Sequence, residues 1–296
     1  MPIHTSIPAN TTMSDKKPKK TDGKEMSFWD HLDELRGVLF HSAIVIVILM
    51  AVAFGFKDFV FGQVIFAPTT SDFPLYNGLC KLGELLGMSG LCVDPFEIKV
   101  VNIQLASQFF THMSVSFWIG FLVGFPYLLY ELWRFVRPAL FPNEKKHIKL
   151  AFGFGGILFF MGVLLGYYLI FPLTLKFLGT YQLTDDLQNQ ISLSSYISTF
   201  TWLILIMGLV FELPMLALVL SKIGVLHKGM LRKYRKYAVL IIFVVSAVIT
   251  PTGDAFTLCM IALPILMLYE FSIFLVQKKP KEKETKEVES AETTSD

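Results

Sequence analysis

Between Arg36 and Lys57 the chain reads GVLFHSAIVIVILMAVAFGF (Gly37–Phe56), 20 residues without one Asp, Glu, Lys or Arg. The hydrocarbon core of a bilayer takes about 20 apolar residues wound as a helix. A helix on the surface of a soluble protein keeps a charged or polar face, which a charge-free run of this length lacks. The stretch therefore predicts a transmembrane helix, and the rest of the chain repeats the pattern. Val100–Tyr130 lies between Lys99 and Glu131, its first part expected as loop. Leu150–Leu175 lies between Lys149 and Lys176. Leu187–Ser221 is broken only by Glu212. Tyr237–Gly253 is short, because Pro251 is expected to end its helix near Thr250. Ala255–Gln277 is broken only by Glu270.

Composition agrees. Of 296 residues, 53% are hydrophobic and 17% charged, where soluble domains run nearer about 25% charged. The mean hydropathy is +0.56. Disorder over most of the chain, collagen and disulfide-scaffold classes are excluded. The runs are too continuous for the weak alternation of an outer-membrane barrel. Gly and Pro within them (Gly120, Gly124, Pro126, Gly162, Gly166, Pro172, Gly208, Pro214, Pro264) suit membrane helices. The expected fold is an all-α polytopic membrane protein of six transmembrane helices. The fifth and sixth are expected to be short and matched by local bilayer thinning, with a re-entrant pair or a buried core helix as the alternative. Residues 1–26 are expected as a disordered polar tail, 27–277 as the six-helix domain, and 278–296 as a disordered charged tail. No internal repeat supports an inverted-repeat transporter.

Charge sets the orientation. Six spans put both termini on one side, and that side collects 22 of the 26 Lys and Arg residues. The other side holds Lys57, Lys81, Lys99 and Lys176. Positive loops stay inside, so both termini are expected in the cytoplasm. Dropping the last two spans together would leave this count unchanged. Residues 1–25 have no apolar core and are not a cleavable signal peptide.

Cys80 and Cys92 fall in the long loop after the first run. On an oxidising outer side a disulfide between them is favoured, two free thiols being the alternative. Cys259 reads as a small buried apolar residue. There is no zinc spacing, Walker loop, dinucleotide fingerprint, HExxH or GxSxG, so no metal, cofactor or enzyme chemistry is expected. His112, lacking a carboxylate at helical spacing, reads as a packing residue rather than a proton relay.

Four segments carry information. Ser27–Arg36, SFWDHLDELR, is an amphipathic lead-in whose Asp30, Asp33 and Glu34 oppose the surrounding basic bias. Acids complementing the helix dipole would explain Asp30 better than Glu34. Phe125–Lys146, FPYLLYELWRFVRPALFPNEKK, is aromatic and stiffened by Pro138 and Pro142, with Glu144 set among cations. A surface salt bridge there is the plain alternative, worth little. Glu212, in FELPM, is an ionisable group inside a span and so a functional candidate, with Pro214 able to kink its helix. A protonated Glu bonded across helices is the structural alternative. Thr250–Asp254, TPTGD, forms a tight turn in which Asp254 is suited to cap the sixth helix.

Taken in order, these segments resemble the TatC family, the multispan core of the twin-arginine protein translocase. HLDELR precedes the first span and PYLLYELWRFVRPALFPNEKK follows the second. FFMGVLLGYYLIFP, SSYISTF, FELPM, LRKYRKYAVL, TPTGDAF and ALPILMLYE follow in sequence. The likeness covers about Ser27–Val276. It implies a non-enzymatic receptor in a bacterial cytoplasmic membrane, multi-pass, with both termini cytoplasmic. Its partners would be paired-arginine signal peptides of folded cargo, single-span TatA- and TatB-type subunits, further copies of itself and lipid, but no nucleic acid. The resemblance assigns signal-peptide binding to Glu34 and Glu144, with Arg36, Phe135 and Pro138 on the same surface. It makes Glu212 the intramembrane polar site, and gives Pro214, Thr250, Pro251 and Asp254 turn or partner roles. Where the family often has glutamine four residues after that aspartate, this chain has Leu258, so no polar contact is expected there. The long loop bearing Cys80 and Cys92 is outside what the resemblance explains. A small-solute transporter using Glu212 as its ion site is the competing class; it would ordinarily need several intramembrane charges.

Overall fold

The structure is a computed structural model that describes residues 28–87, 98–137, 145–182, 184, 189–250 and 253–276. Both expected tails, and with them Pro138, Glu144, Pro251 and Cys92, lie outside these residues.

The chain opens with α1 (Phe28–Gly55), followed by the single turn α2 (Lys57–Phe59), a π-helical turn Val60–Ile65 and a 3-10 turn Ala67–Thr69. α3 (Pro74–Leu86) and the strand β1 (Val100–Val101) complete the first connection. α4 (Ser107–Val136) returns. α5 (Lys145–Leu165) runs through a π turn at Gly166–Ile170 into α6 (Phe171–Thr180). β2 (Ile191–Ser192) leads into α7 (Leu193–Val210), which breaks before α8 (Leu213–Lys222). The short α9 (Lys228–Lys233), α10 (Arg235–Ile249) and α11 (Ala255–Leu275) finish the fold.

Among the described residues, five helical stretches are long and apolar enough to cross a membrane: Leu32–Gly55, Ser107–Val136, Lys149–Thr180, Leu193–Lys222 and Ala255–Leu275. α10 has 15 residues, about 22 Å at the α-helical rise and shorter than a bilayer core. α11 corrects the expectation of a short sixth helix. It runs 21 residues straight through Pro264, because neighbouring helices tolerate a missing N–H in the membrane interior. The third stretch is also longer than its charge-free run, since it extends past Lys176 to Thr180. One further correction concerns the all-α expectation. β1 and β2 pair in parallel, Val100 with Ile191 and Val101 with Ser192. Strands of two residues leave no alternation for a sequence pattern to register.

Helices pack through small residues, as they do where no hydrophobic force drives association. Gly120 and Gly124 line one ridge of α4 against α1. A Cβ on Gly120 would sit 2.7 Å from the Met50 amide nitrogen and 2.9 Å from the Ile46 carbonyl oxygen. Gly162 does the same for α5, lying against the Met207 carbonyl and the Phe211 side chain of α7 and its end. Around these approaches the core fills with large side chains. Phe159 and Met207 are fully buried, and the rings of Phe125 and Phe159 stack with centroids 3.6 Å apart.

One end of the bundle carries a cap built from the first connection. Irregular backbone there needs donors for its carbonyls. Tyrosines supply them: Tyr76 donates to Pro172 O at 3.0 Å, Tyr167 to Val64 O at 2.9 Å, and Tyr196 to Ile65 O. Burial pushes the Tyr76 phenol above its ordinary range, so it remains a donor. In the π turn the Phe171 N–H reaches back to Gly166 O. The next residue, Pro172, has no N–H to give, which is where a helix loosens.

Candidate functional site

α1 and α4 pack against each other in antiparallel directions. Gly120 lies against Met50 and Ile46, and Gly124 against Ile46 and Leu49. The two helices run antiparallel, so the start of α1 and the end of α4 lie toward the same end. Glu34 and Arg36 are both exposed on α1. The Arg36 guanidinium lies 5.5 Å from the centre of the Phe40 ring. Phe135 is half-buried in the last turn of α4. The structure thus brings the ELR segment and the end of α4 to one end of the molecule. Pro138 and Glu144, which follow directly, lie outside the described residues.

Glu131 was legible in sequence only as the charge that ends the second run. It is 4% exposed and buried in α4. It accepts a hydrogen bond from Tyr127 Oη at 2.8 Å, one turn earlier. Arg134 stands 3.9 Å away, too far for a hydrogen bond. A Tyr-x-x-x-Glu spacing on a helix is the signal that marks such a pair.

Glu212 occupies the break between α7 and α8. α7 stops at Val210, and Pro214 at the second position of α8 has no N–H for the Val210 carbonyl. Glu212 is 5% exposed, and neither carboxylate oxygen has a hydrogen-bond partner among the described residues. The space for it comes from α5: a Cβ on Gly155 would sit 2.8 Å from Glu212 Oε2 and 3.2 Å from Met215 Cγ. Nothing in sequence connected Gly155 with Glu212. The cross-helix bond of the structural alternative is not formed. Pro214 is buried beside it.

At the cap end, α10 finishes at Ile249, with Thr250 as its C-cap. The buried Thr250 hydroxyl donates to Ser246 O at 2.6 Å. Trp202 Nε1 of α7 donates to Ile249 O at 2.7 Å, satisfying a carbonyl that the helix end would otherwise leave bare. Asp254 is the N-cap of α11, its Oδ1 accepting from Thr257 N at 2.7 Å. Cys80 in α3 is disulfide-bonded. Cys259 is a free thiol, and exposed rather than buried, because its face of α11 points away from the core.

Long apolar helices packed through glycines, an ionisable group shut inside a broken span, and an end bearing charged motif residues define a multi-pass helical membrane protein. The chain belongs to the TatC family, described as Sec-independent protein translocase protein, whose sequence profile matches residues 30–264. A TatC of Blattabacterium from Periplaneta americana is 34% identical over 258 residues, covering 86% of this chain and 97% of its own. A TatC of Aquifex aeolicus is 33% identical over 268 residues, covering 90% of this chain and all of its own. A crystal structure of the twin-arginine translocase receptor TatC superposes with a TM-score of 0.63 at 33% identity, over 83% of this chain and 97% of that one. A second, in the detergent DDM, gives 0.67 at 32% identity, over 83% and 99%.

Proposed function

We propose that this chain is the signal-peptide receptor and core subunit of a twin-arginine translocase, exporting folded proteins across a bacterial cytoplasmic membrane. The observation that carries the reading is the convergence of the ELR segment of α1 and the end of α4 on one end of the bundle, in a chain of TatC family membership. Glu34 and Glu144 would be the two carboxylates facing the signal peptide, with Arg36, Phe135 and Pro138 around them. Guanidinium presents a planar fork that a carboxylate binds through two parallel hydrogen bonds, and ammonium does not. Two such carboxylates against a cytoplasmic background of Lys and Arg select paired arginines over paired lysines.

The reading takes the topology as six spans with both termini cytoplasmic, α10 crossing as a short fifth. The charge distribution supports it, with 22 of 26 basic residues on one side. The unpartnered carboxylate of Glu212 is the intramembrane site for a partner helix or the inserted signal. Single-span TatA- and TatB-type subunits and further copies of the chain assemble around it. Pro214, Thr250, Pro251 and Asp254 shape the helix break and the outer turn. Cys80 bridges Cys92 and stiffens the outer loop.

The test is co-purification of the full chain with a twin-arginine signal peptide, using a twin-lysine peptide as control. The arginine peptide is retained and the lysine peptide is not. Glu34→Lys combined with Glu144→Lys abolishes retention; undiminished retention by that double variant refutes the carboxylate assignment.

A further inference from the structure

A second polar site lies at the opposite, cap end of the molecule. A cavity of about 1060 Å³ opens between the turn after α1, the β1 segment and the first two turns of α4. Its wall includes Lys57, Lys99, Asn102, Gln108, His112 and a single carboxylate, Asp58. Lys57 and Lys99 are two of the four basic residues that the charge pattern leaves on this side. Neither forms an ion pair among the described residues, and both are exposed to the cavity mouth. His112 is held flat against Phe54, ring centroids 3.9 Å apart, with the Phe61 edge at 5.6 Å. That clamp leaves its Nε2 buried and without a hydrogen-bond partner among the described residues. Neither the translocase reading nor the motifs behind it use this group.

The chemistry of the wall is one-sided. Two ammonium groups, two side-chain amides and an imidazole nitrogen face one carboxylate, so donors and positive charge exceed acceptors and negative charge. Phe61, Phe66, Ile98 and Leu193 supply the rest of the lining, and an apolar floor strengthens any charge interaction above it. Lys57 comes two residues after Gly55, where the first apolar stretch long enough to span a bilayer ends, so headgroup chemistry is expected near it. We propose that this cavity binds a phosphate-type anion, held by Lys57 and Lys99 with Asn102, Gln108 and His112 completing its hydrogen bonds. The anion is either the phosphodiester of a lipid headgroup or free phosphate. The volume admits a headgroup as readily as the bare ion.

The experiment uses the full chain in maltoside micelles at constant ionic strength. Sodium phosphate is titrated against sodium chloride by calorimetry. In a second arm, retained lipid is counted by native mass spectrometry after doping with phosphatidylglycerol or phosphatidylcholine. Saturable binding in either arm is expected. It should weaken at least about tenfold in Lys57→Gln/Lys99→Gln, which loses two charge-assisted contacts, and change less than about twofold in Lys81→Gln/Lys176→Gln, whose charges lie elsewhere. Phosphate binding identifies the free anion as a ligand. Retention of phosphatidylglycerol over phosphatidylcholine without phosphate binding identifies the headgroup. His112→Asn, which leaves both lysines in place, also weakens binding. No saturable binding in either arm overturns the proposal, as does binding that survives in Lys57→Gln/Lys99→Gln or falls equally in both double variants.

Discussion

Gly120→Ala places one methyl group where α1 and α4 touch backbone to backbone. The new Cβ would lie 2.7 Å from Met50 N, 2.9 Å from Ile46 O and 3.1 Å from Met50 Cα, against an ordinary contact of 3.4–4 Å. Backbone cannot swing aside as a side-chain tip can, so the helices must part by roughly 0.7 Å to reach ordinary contact, and a gap of that size forfeits about a quarter to a half of each dispersion contact along the seam. Overpacking of this kind costs about 1–3 kcal/mol. Alanine recovers up to about 1 kcal/mol of helix propensity on the scale measured in water. The net expectation is a loss of about 1–2 kcal/mol. Gly37→Ala, also on α1, meets nothing within 4 Å, so it keeps the propensity gain without the clash. The assay is the unfolding midpoint of the full chain in mixed micelles, followed by tryptophan fluorescence. Gly120→Ala falls below wild type, and Gly37→Ala is unchanged or higher. Equal stability of both variants would refute the seam as drawn. Since the same seam holds the helix that carries Glu34 against α4, Gly120→Ala should also weaken signal-peptide retention.

Four other outcomes are expected. Glu212→Ala should leave signal-peptide retention largely intact while reducing export of a folded reporter. Glu212→Gln should not lower the unfolding midpoint, because the carboxyl makes no hydrogen bond among the described residues that the amide would lose; a large loss of stability would mean the carboxylate is holding the fold together. Asp254→Ala should cost about 1 kcal/mol through loss of the α11 cap, and Asp254→Asn much less, read from the same midpoint. The Arg235–Glu270 pair, 2.7 Å apart but 61% and 45% exposed, should show a coupling of no more than about 1 kcal/mol in a double-mutant cycle. A larger coupling would place that end of α10 in a drier environment than its exposure indicates.

How far each feature could be read in advance depended on how local its cause is. Asp254 capping α11 was legible because a cap is written in four consecutive residues. The burial of Glu212 was legible because a charge inside an apolar run has few other places to go. Glu131 marked only the end of a charge-free run; α4 continues to Val136, and a helix can bury a carboxylate near its end when a tyrosine one turn back bonds it. His112 was read as a packing residue. It does stack on Phe54, but its unpartnered nitrogen depends on an aromatic clamp from a different part of the chain. The exposure of Cys259 depended on which face of a uniformly apolar helix meets the core, and composition carries no phase.

Charge spacing along the chain was enough to establish membrane helices, their approximate limits and the candidate motif residues, because transfer of a charge into hydrocarbon is costly wherever the chain goes. The order of the motifs was enough to point to the family. Tertiary structure alone decided which helices approach closely, that Gly155 makes room for Glu212, that α11 is full length, and that Lys57, Lys99 and His112 share one cavity. Contacts such as Gly120 with Met50 and Gly155 with Glu212 join segments far apart in the chain, and hydropathy, a property of each residue with its neighbours, contains no information about such pairs.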